Sequence, residues 1–188
     1  GNAVPTAPML FMKPATALLR EGKPFYYPDF SKDIHYEIEL VVRISKAGKC
    51  VERQFAHKYY NEIGVGIDLT ARDLQEQCKK AGHPWEIAKA FDHSAIVGDF
   101  VPVAEAERDE AGNLLFSLQR NGATVQAGSS ADMIHSIDAL VSYASQFFTL
   151  TQGDLLFTGT PKGVGRIEIG DELAGYLGTR KLLQCSIK

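Results

Sequence analysis

The sequence lacks the features of several specialised classes of protein. Its 188 residues include only three cysteines, at wide spacing, which fits neither a disulfide framework nor a thiolate zinc site. It has no cluster of Lys and Arg, and its formal net charge is -3, so the footprint of a nucleic-acid-binding protein is absent. No apolar run approaches the length of a bilayer span, and the opening GNAVPTAPML predicts no signal peptide. These absences favour a cytoplasmic protein that acts on a small molecule and binds neither nucleic acid nor a membrane.

The composition is that of an ordinary globular protein. Hydrophobic residues make up 45% and charged residues 23%, and the length suits one domain with a full core. We therefore expect a single domain over residues 1–188.

Strand patterns dominate the chain. After a Pro-rich start, residues 9–14 predict a short strand and residues 35–45 a long one. Residues 113–128 predict a hairpin with Asn121-Gly122 as its turn.

Two main helices interrupt the strands. The first is expected to begin after Thr70, which can cap it, and to end at Gly82. The second is expected over residues 130–148, where apolar residues recur at helical spacing. Because strands and helices do not alternate strictly, the predicted class is β-rich α+β and not a doubly wound sheet.

Two glutamates lie in an otherwise apolar strand, DIHYEIELVV, residues 33–42. Both faces of this strand become apolar after Glu39, which predicts cover on both sides. Unpaired carboxylates there would each cost several kcal/mol through desolvation, so we expect a positive group between Glu37 and Glu39. Asp68 falls where a later strand ends and could converge with them. Three carboxylates without His or Cys select a hard cation, Mg²⁺ or Mn²⁺, with Ca²⁺ also possible.

Simpler interpretations of these patterns stay open on spacing alone. A Glu-x-Glu pair is often a solvated strand face, and an Asp before a helix is often turn chemistry. Lys89, among apolar neighbours in GHPWEIAKAF, is either a snorkelling lysine or a cation placed near an anion. FTGTPKGVG is either a turn or a site for a carboxylate, and it lacks the residue order of a P-loop.

Four motifs together resemble the fumarylacetoacetate hydrolase family. HYEIEL, GIDLTARDLQ, GHPWEIAKAFD and LLFTGTPKGVG occur in this order over nearly the whole chain. The similarity is greatest to small single-domain members that act as acylpyruvate hydrolases and oxaloacetate decarboxylases or tautomerases. The resemblance implies a mixed β-sandwich roll that forms a homodimer.

The resemblance also implies roles for individual residues. It assigns a divalent metal, Mg²⁺ in the first instance, to Glu37, Glu39 and Asp68. Catalytic roles fall to Lys89 and Gln75. The residues matched to substrate contacts are Arg72, Lys89, Thr160 and, at the pocket edge, Lys13.

One motif of such members is not found. They begin with a segment resembling GRNYxxHxxE, whose His and Glu activate water on a lid over the metal. None of the five histidines lies in such a motif, and His35 is expected to be structural. We expect either that a lid segment precedes Gly1 in the native protein or that the chain lacks this general base.

The predicted function is therefore that of a metal-dependent hydrolase or lyase that acts on a short 2-oxo (β-keto) acid. One alternative is an isomerase or decarboxylase of aromatic meta-cleavage pathways, of the 2-hydroxyhepta-2,4-diene-1,7-dioate isomerase type. The other is a non-catalytic relative that binds metal and ligand but has lost the lid.

Overall fold

The computed structural model describes residues 7–20 and 22–188. The expectations for residues 1–6 lie outside this range. Within it, the strands are β1 Leu18–Arg20, β2 Ile34–Tyr36, β3 Ile38–Ile44, β4 Tyr60–Asp68, β5 Thr70–Ala71, β6 Ala95–Pro102, β7 Leu115–Arg120, β8 Ala123–Ser129, β9 Leu155–Phe157, β10 Gly165–Arg166, β11 Glu172–Leu177 and β12 Arg180–Ser186. The α-helices are α1 Arg72–Ala81, α2 Glu86–Lys89 and α3 Ile137–Phe147. Short 3₁₀ turns occur at Ala15–Ala17, Arg53–Lys58, Val103–Glu105 and Ser130–Asp132.

The strands form three sheets. The largest has the order β1-β6-β4-β3-β9, the second β10-β2-β5 and the third β12-β11-β7-β8. The β1–β6 pair is parallel, and the other paired strands run antiparallel. The predicted mixed, β-rich α+β fold is confirmed.

The core lies between the five-stranded and four-stranded sheets. Strands β11 and β12 pack across β4 and β6, and the largest fully buried side chains come from both layers, including Leu40, Ile63, Ile67, Leu118 and Leu173. Residues Ile38 to Val42 of β3 are all buried. The predicted cover on both faces of this strand is confirmed.

The strand predictions hold with two corrections. The hairpin is present, and Asn121 and Gly122 have φ values of 53° and 81°, as a type I′ turn requires. Residues 9–14 form no strand. The strand predicted over 35–45 is interrupted at Glu37, where the chain leaves the small sheet as β2 and enters the large one as β3.

Both helices are shorter than predicted. Thr70 does not cap α1: it belongs to β5, and Ala71 occupies the N-cap position without a side-chain cap. Gly82 ends α1 with φ 67°, as predicted. α3 begins at Ile137 and not near residue 130, because the Ser136 hydroxyl accepts the Ala139 N–H and caps the helix there. No helix in the described part of the chain is long and apolar enough to cross a bilayer.

A close approach of β6 to β12 makes Gly98 a sensitive position. An added methyl group would collide with the carbonyl group of Leu182 and come within 2.8 Å of the Cβ of Leu183. We predict that Gly98→Ala lowers the free energy of unfolding by about 3 kcal/mol, the upper end of the cost of overpacking, because a backbone carbonyl cannot rotate away. Urea denaturation measures this loss.

Gly153→Ala is the control. Gly153 has φ 96° and nothing within 4 Å of an added methyl group. Gly153→Ala should therefore lower the free energy of unfolding by about 1 kcal/mol, the cost of the left-handed backbone conformation alone. Equal losses in the two variants would contradict the packing argument.

Candidate functional site

Three buried carboxylates converge where β3 and β4 meet. Glu37 lies at the break between β2 and β3, Glu39 is the second residue of β3, and Asp68 is the last residue of β4. Each offers one oxygen, and these oxygens all lie within 4.8 Å of one another. The side chains are buried, so the interpretation of Glu37 and Glu39 as a solvated strand face is wrong. The predicted convergence is confirmed.

Backbone pairing brings the carboxylates together. In the antiparallel β3–β4 ladder, Ile38 lies opposite Ile67 and Glu39 opposite Gly66. The Asp68 N–H donates to the Glu37 carbonyl oxygen at 2.9 Å, which holds the end of β4 beside the break in the other strand. The acidic cluster is therefore fixed by strand register.

Lys89 supplies the positive group expected between the carboxylates. Its Nζ donates to Glu37 Oε2 at 2.8 Å, to Asp68 Oδ2 at 2.7 Å and to Thr70 Oγ1 at 2.5 Å. The residue is only 4% exposed, so a snorkelling lysine is excluded. The short helix α2 serves to place this ammonium group inside the cluster.

Two further cations approach from different elements. Lys13 Nζ lies 2.7 Å from Asp68 Oδ1 and also donates to the Ser94 hydroxyl and to the Lys89 carbonyl oxygen. Arg72, the first residue of α1, donates from Nη2 to Glu37 Oε1 at 2.6 Å.

Gln75 belongs to the same network through Arg72. Its Oε1 accepts from Arg72 Nη1 at 2.8 Å, and it lies one turn further along α1. The predicted residues Lys13, Arg72, Gln75 and Lys89 thus join the acidic cluster, directly or through one intervening side chain.

Electrostatics distinguish Glu39 from the other two carboxylates. Burial disfavours charge on Glu37, but the ammonium of Lys89 and the guanidinium of Arg72 outweigh it and lower the pKa of Glu37. Glu39 accepts a hydrogen bond from the Gly159 N–H at 2.5 Å, and no cation of residues 7–20 or 22–188 forms an ion pair with it. Burial and the charge of Asp68 raise the pKa of Glu39 to about 8.

The two lysines also differ. Burial opposes charge on both. For Lys89, the carboxylates of Asp68 and Glu37 overcome this effect and raise the pKa. For Lys13, burial prevails over the attraction of Asp68, and the pKa is lowered.

The donor set fits a divalent cation. All three oxygens belong to carboxylates, the ligands that hard cations prefer. Asp68 Oδ1 is buried and accepts no hydrogen bond of good geometry, although Lys13 lies close to it. A divalent cation among the three oxygens would favour the ionised form of Glu39, whose pKa its neighbours raise. The cluster can therefore hold a metal ion.

Thr160 reaches the site indirectly. It follows Gly159 in the loop after β9, and its hydroxyl accepts a hydrogen bond from Gln126 Nε2 at 3.0 Å. Within the described residues its side chain makes no hydrogen bond with the three carboxylates, so its predicted substrate contact stays a prediction.

The sequence interpretation missed several groups around the site. The N–H of Gly159 and the hydroxyls of Thr70 and Ser94 carry no recognisable pattern, because their roles arise from contacts between distant segments. Gln126 in the TVQAG strand had a weak signal: it is a polar residue at a position that the hairpin periodicity turns inward. His35 pairs with Asp33, Nε2 to Oδ1 at 3.0 Å, in keeping with its expected structural role.

Known proteins are similar to this chain in sequence and fold. Residues 1–188 match the family model described as fumarylacetoacetate (FAA) hydrolase C-terminal. Oxaloacetate tautomerase YcgM of Escherichia coli (strain K12) is 46% identical over 173 residues, which cover 92% of this chain and 78% of that protein.

Two solved structures extend the comparison. Fumarylpyruvate hydrolase from Pseudomonas aeruginosa, in complex with Mn²⁺ and pyruvate, superposes with a TM-score of 0.85 at 38% identity and covers 94% of this chain and 77% of its own. The 2-hydroxyhepta-2,4-diene-1,7-dioate isomerase from Mycobacterium marinum gives 0.87 at 33% identity, with coverage of 100% and 71%. With the family model matched from end to end, the chain belongs to the fumarylacetoacetate hydrolase family of enzymes.

Proposed function

We propose that this enzyme acts on short 2-oxo acids with the help of a divalent metal ion, and that tautomerisation or decarboxylation of oxaloacetate is its main reaction. Hydrolysis of acylpyruvates is the related possibility. The observation that carries the proposal is the buried ammonium of Lys89, which bridges Glu37 and Asp68 inside a carboxylate triad. The similarity to an oxaloacetate tautomerase and to a hydrolase that binds Mn²⁺ and pyruvate supports it.

Glu37, Glu39 and Asp68 are the proposed ligands of the metal. Mg²⁺ is the expected ion, with Mn²⁺ or Ca²⁺ possible, since all are hard cations that take oxygen ligands. When bound, such an ion supplies Lewis-acid polarisation of a substrate carbonyl.

Lys89 is the proposed catalytic cation. Transfer of a C3 proton of oxaloacetate to a base leaves the enolate of oxaloacetate, and loss of CO₂ from C4 leaves the enolate of pyruvate. Both enolates carry negative charge on the C2 keto oxygen. A fixed ammonium group in a buried site stabilises such charge without reorganising solvent. The raised pKa of Lys89 keeps it protonated for this role.

The other residues of the network would bind and orient the acid. Arg72 and Lys13 present positive charge at two sides of the cluster, which suits a substrate with two carboxylates. Gln75 holds the Arg72 side chain in place, and Thr160 is the proposed donor to a substrate carboxylate.

One of the two alternatives has specific support. The similarity to the M. marinum isomerase favours an isomerase or decarboxylase acting on a meta-cleavage diacid, although that identity is lower than that to the tautomerase. A non-catalytic relative would keep the same cluster and show metal binding without turnover. The homodimer and the cytoplasmic location expected from the sequence remain predictions.

A substrate panel tests the reaction. With Mg²⁺ present, we predict that the highest kcat/KM belongs to oxaloacetate, followed spectroscopically as keto–enol interconversion and as pyruvate release, ahead of acetylpyruvate hydrolysis. A 2-hydroxymuconate-type diacid turned over fastest would establish the isomerase alternative. Metal binding without turnover of any of the three acids would favour the non-catalytic one.

Removing one metal ligand should weaken the site as a whole. Glu37→Gln, Glu39→Gln and Asp68→Asn are each predicted to lower Mg²⁺ affinity at least about tenfold, because the ion loses a charged oxygen ligand. Titration calorimetry measures the affinity. Glu62→Gln is the matched control, since Glu62 pairs with Arg43 across the same two strands. Unchanged affinity in any one variant removes that residue from the proposed site.

Lys89→Met should affect both stability and turnover. It leaves Glu37 and Asp68 as buried carboxylates without their shared cation, a change that typically costs about 3–5 kcal/mol of unfolding free energy. At a temperature where the variant is folded, we predict that oxaloacetate turnover falls by at least about a hundredfold, the loss typical of one electrostatic group in such a site. Chemical denaturation and steady-state kinetics measure the two effects.

Lys80→Met is the control for charge, because Lys80 is an exposed residue of α1. The same loss of stability in both variants would show that net charge, and not the contact with the carboxylates, is responsible. Full turnover in Lys89→Met would remove Lys89 from the mechanism.

A further inference from the structure

Gln126 is a buried side chain that links three segments around the site. It lies on β8 and is only 2% exposed. Its Oε1 accepts the N–H of Ile38 at 3.0 Å. Its Nε2 donates to the Thr160 hydroxyl and to the Pro161 carbonyl oxygen, both at 3.0 Å.

The partners of Gln126 fix the orientation of its amide. The N–H of Ile38 can only donate and the carbonyl oxygen of Pro161 can only accept, so the amide oxygen must face the former and the NH₂ group the latter. A flipped amide would place like groups together at both contacts. The second N–H of the same NH₂ group is therefore directed at Thr160.

This orientation determines the role of the Thr160 hydroxyl. Because the hydroxyl oxygen accepts from Gln126, its own proton is directed to another acceptor. The Thr160 side chain has no second hydrogen-bond partner among the described residues. The hydroxyl is thus a donor available to a ligand.

The same amide is tied to the carboxylate cluster. Ile38 lies between Glu37 and Glu39, and its N–H is at the break between β2 and β3. Gly159, next to Thr160, donates to Glu39. A shift of Gln126 would therefore disturb the cluster and the loop together.

We propose that Gln126 is a positioning residue that sets Thr160 as a hydrogen-bond donor, so that this side of the site selects an anionic acceptor, the carboxylate of a 2-oxo acid. The proposal rests on the proposed function for the identity of the acid. The orientation of the amide is independent of it.

Two substitutions at Gln126 separate orientation from packing. Gln126→Glu keeps an acceptor for the Ile38 N–H but offers Thr160 an acceptor in place of a donor, so the hydroxyl should turn to the new carboxylate and away from the ligand. Gln126→Met has a similar size and removes every hydrogen bond, which leaves the Thr160 hydroxyl free to rotate. If the role of Gln126 were purely structural, Gln126→Met would weaken pyruvate binding more than Gln126→Glu does, because it leaves the Ile38 N–H without a partner.

The measurement is the dissociation constant of pyruvate with saturating Mg²⁺, by titration calorimetry. We expect Gln126→Glu to weaken binding about tenfold or more, the loss typical of a hydrogen bond to a charged group, and Gln126→Met to weaken it less. Equal or reversed effects would overturn the proposal. Gln119→Glu on β7 is the charge control, because a carboxylate there can still accept from Tyr176, and it should bind as the wild type does.

A double variant tests whether the effect acts through Thr160. In the Thr160→Val background there is no hydroxyl to redirect, so adding Gln126→Glu should change pyruvate affinity by less than about twofold. An undiminished effect would mean that the new charge repels the ligand or displaces the loop at the Pro161 carbonyl oxygen, and the proposal would be wrong.

Amide hydrogen exchange supplies a readout without ligand. Exchange of the Ile38 amide proton should be faster in Gln126→Met than in the wild type and nearly unchanged in Gln126→Glu. The opposite order would overturn the assigned orientation. This measurement is decisive even if Gln126→Glu is too unstable for calorimetry. Failure of the wild type to bind pyruvate would instead overturn the proposed function, and the Ile38 exchange would still decide the orientation of Gln126.

Discussion

The central constraint in this structure is the burial of three carboxylates at one point. Isolated ionised carboxylates are strongly disfavoured in a protein interior, and pairing with hydrogen-bonded cations is what makes them tolerable. Lys89, Lys13 and Arg72 meet this need from α2, the N-terminal segment and α1. Elements that are far apart in the sequence are thus held around one charged cluster.

Several local irregularities follow from this constraint. Because the strand breaks at Glu37, the chain pairs first in the small sheet, as β2, and then in the large sheet, as β3. Both glutamates still lie near Asp68 at the end of β4. Thr70 is a good capping residue by type, yet its hydroxyl accepts from Lys89 and α1 begins without a side-chain cap. Capping is worth about 1 kcal/mol, less than the cost of leaving a buried ammonium short of an acceptor. The charged cluster therefore prevails over local helix preference.

The features that could be predicted from the sequence are those with local signals. Alternating and continuous apolar patterns located the strands, and Asn121-Gly122 located the hairpin turn, because these signals are local. Glu37 and Glu39 could be singled out because charged residues in a strand covered on both faces are anomalous. Spacing alone left a solvated strand face open, and the resemblance to the family assigned both glutamates and Asp68 to a metal. The N–H of Gly159 and the amide of Gln126 gave little or no such signal, since their contacts join residues 120 and 88 positions apart. The predicted start of α3 lies too early because helical spacing alone does not reveal that Ser136 caps the helix.

The cluster is also asymmetric in a way that suits metal-dependent chemistry. Glu37 and Asp68 form ion pairs with fixed cations, whereas Glu39 has a raised pKa and, in the described part of the chain, accepts a hydrogen bond only from the N–H of Gly159. The ionisation of Glu39 is therefore the part of the cluster most sensitive to an added positive charge. Because Gly159 precedes Thr160, the loop that would contact the substrate is hydrogen-bonded to this same carboxylate. The Gly159 N–H thus joins the proposed cation site to the loop that carries Thr160, the proposed substrate contact.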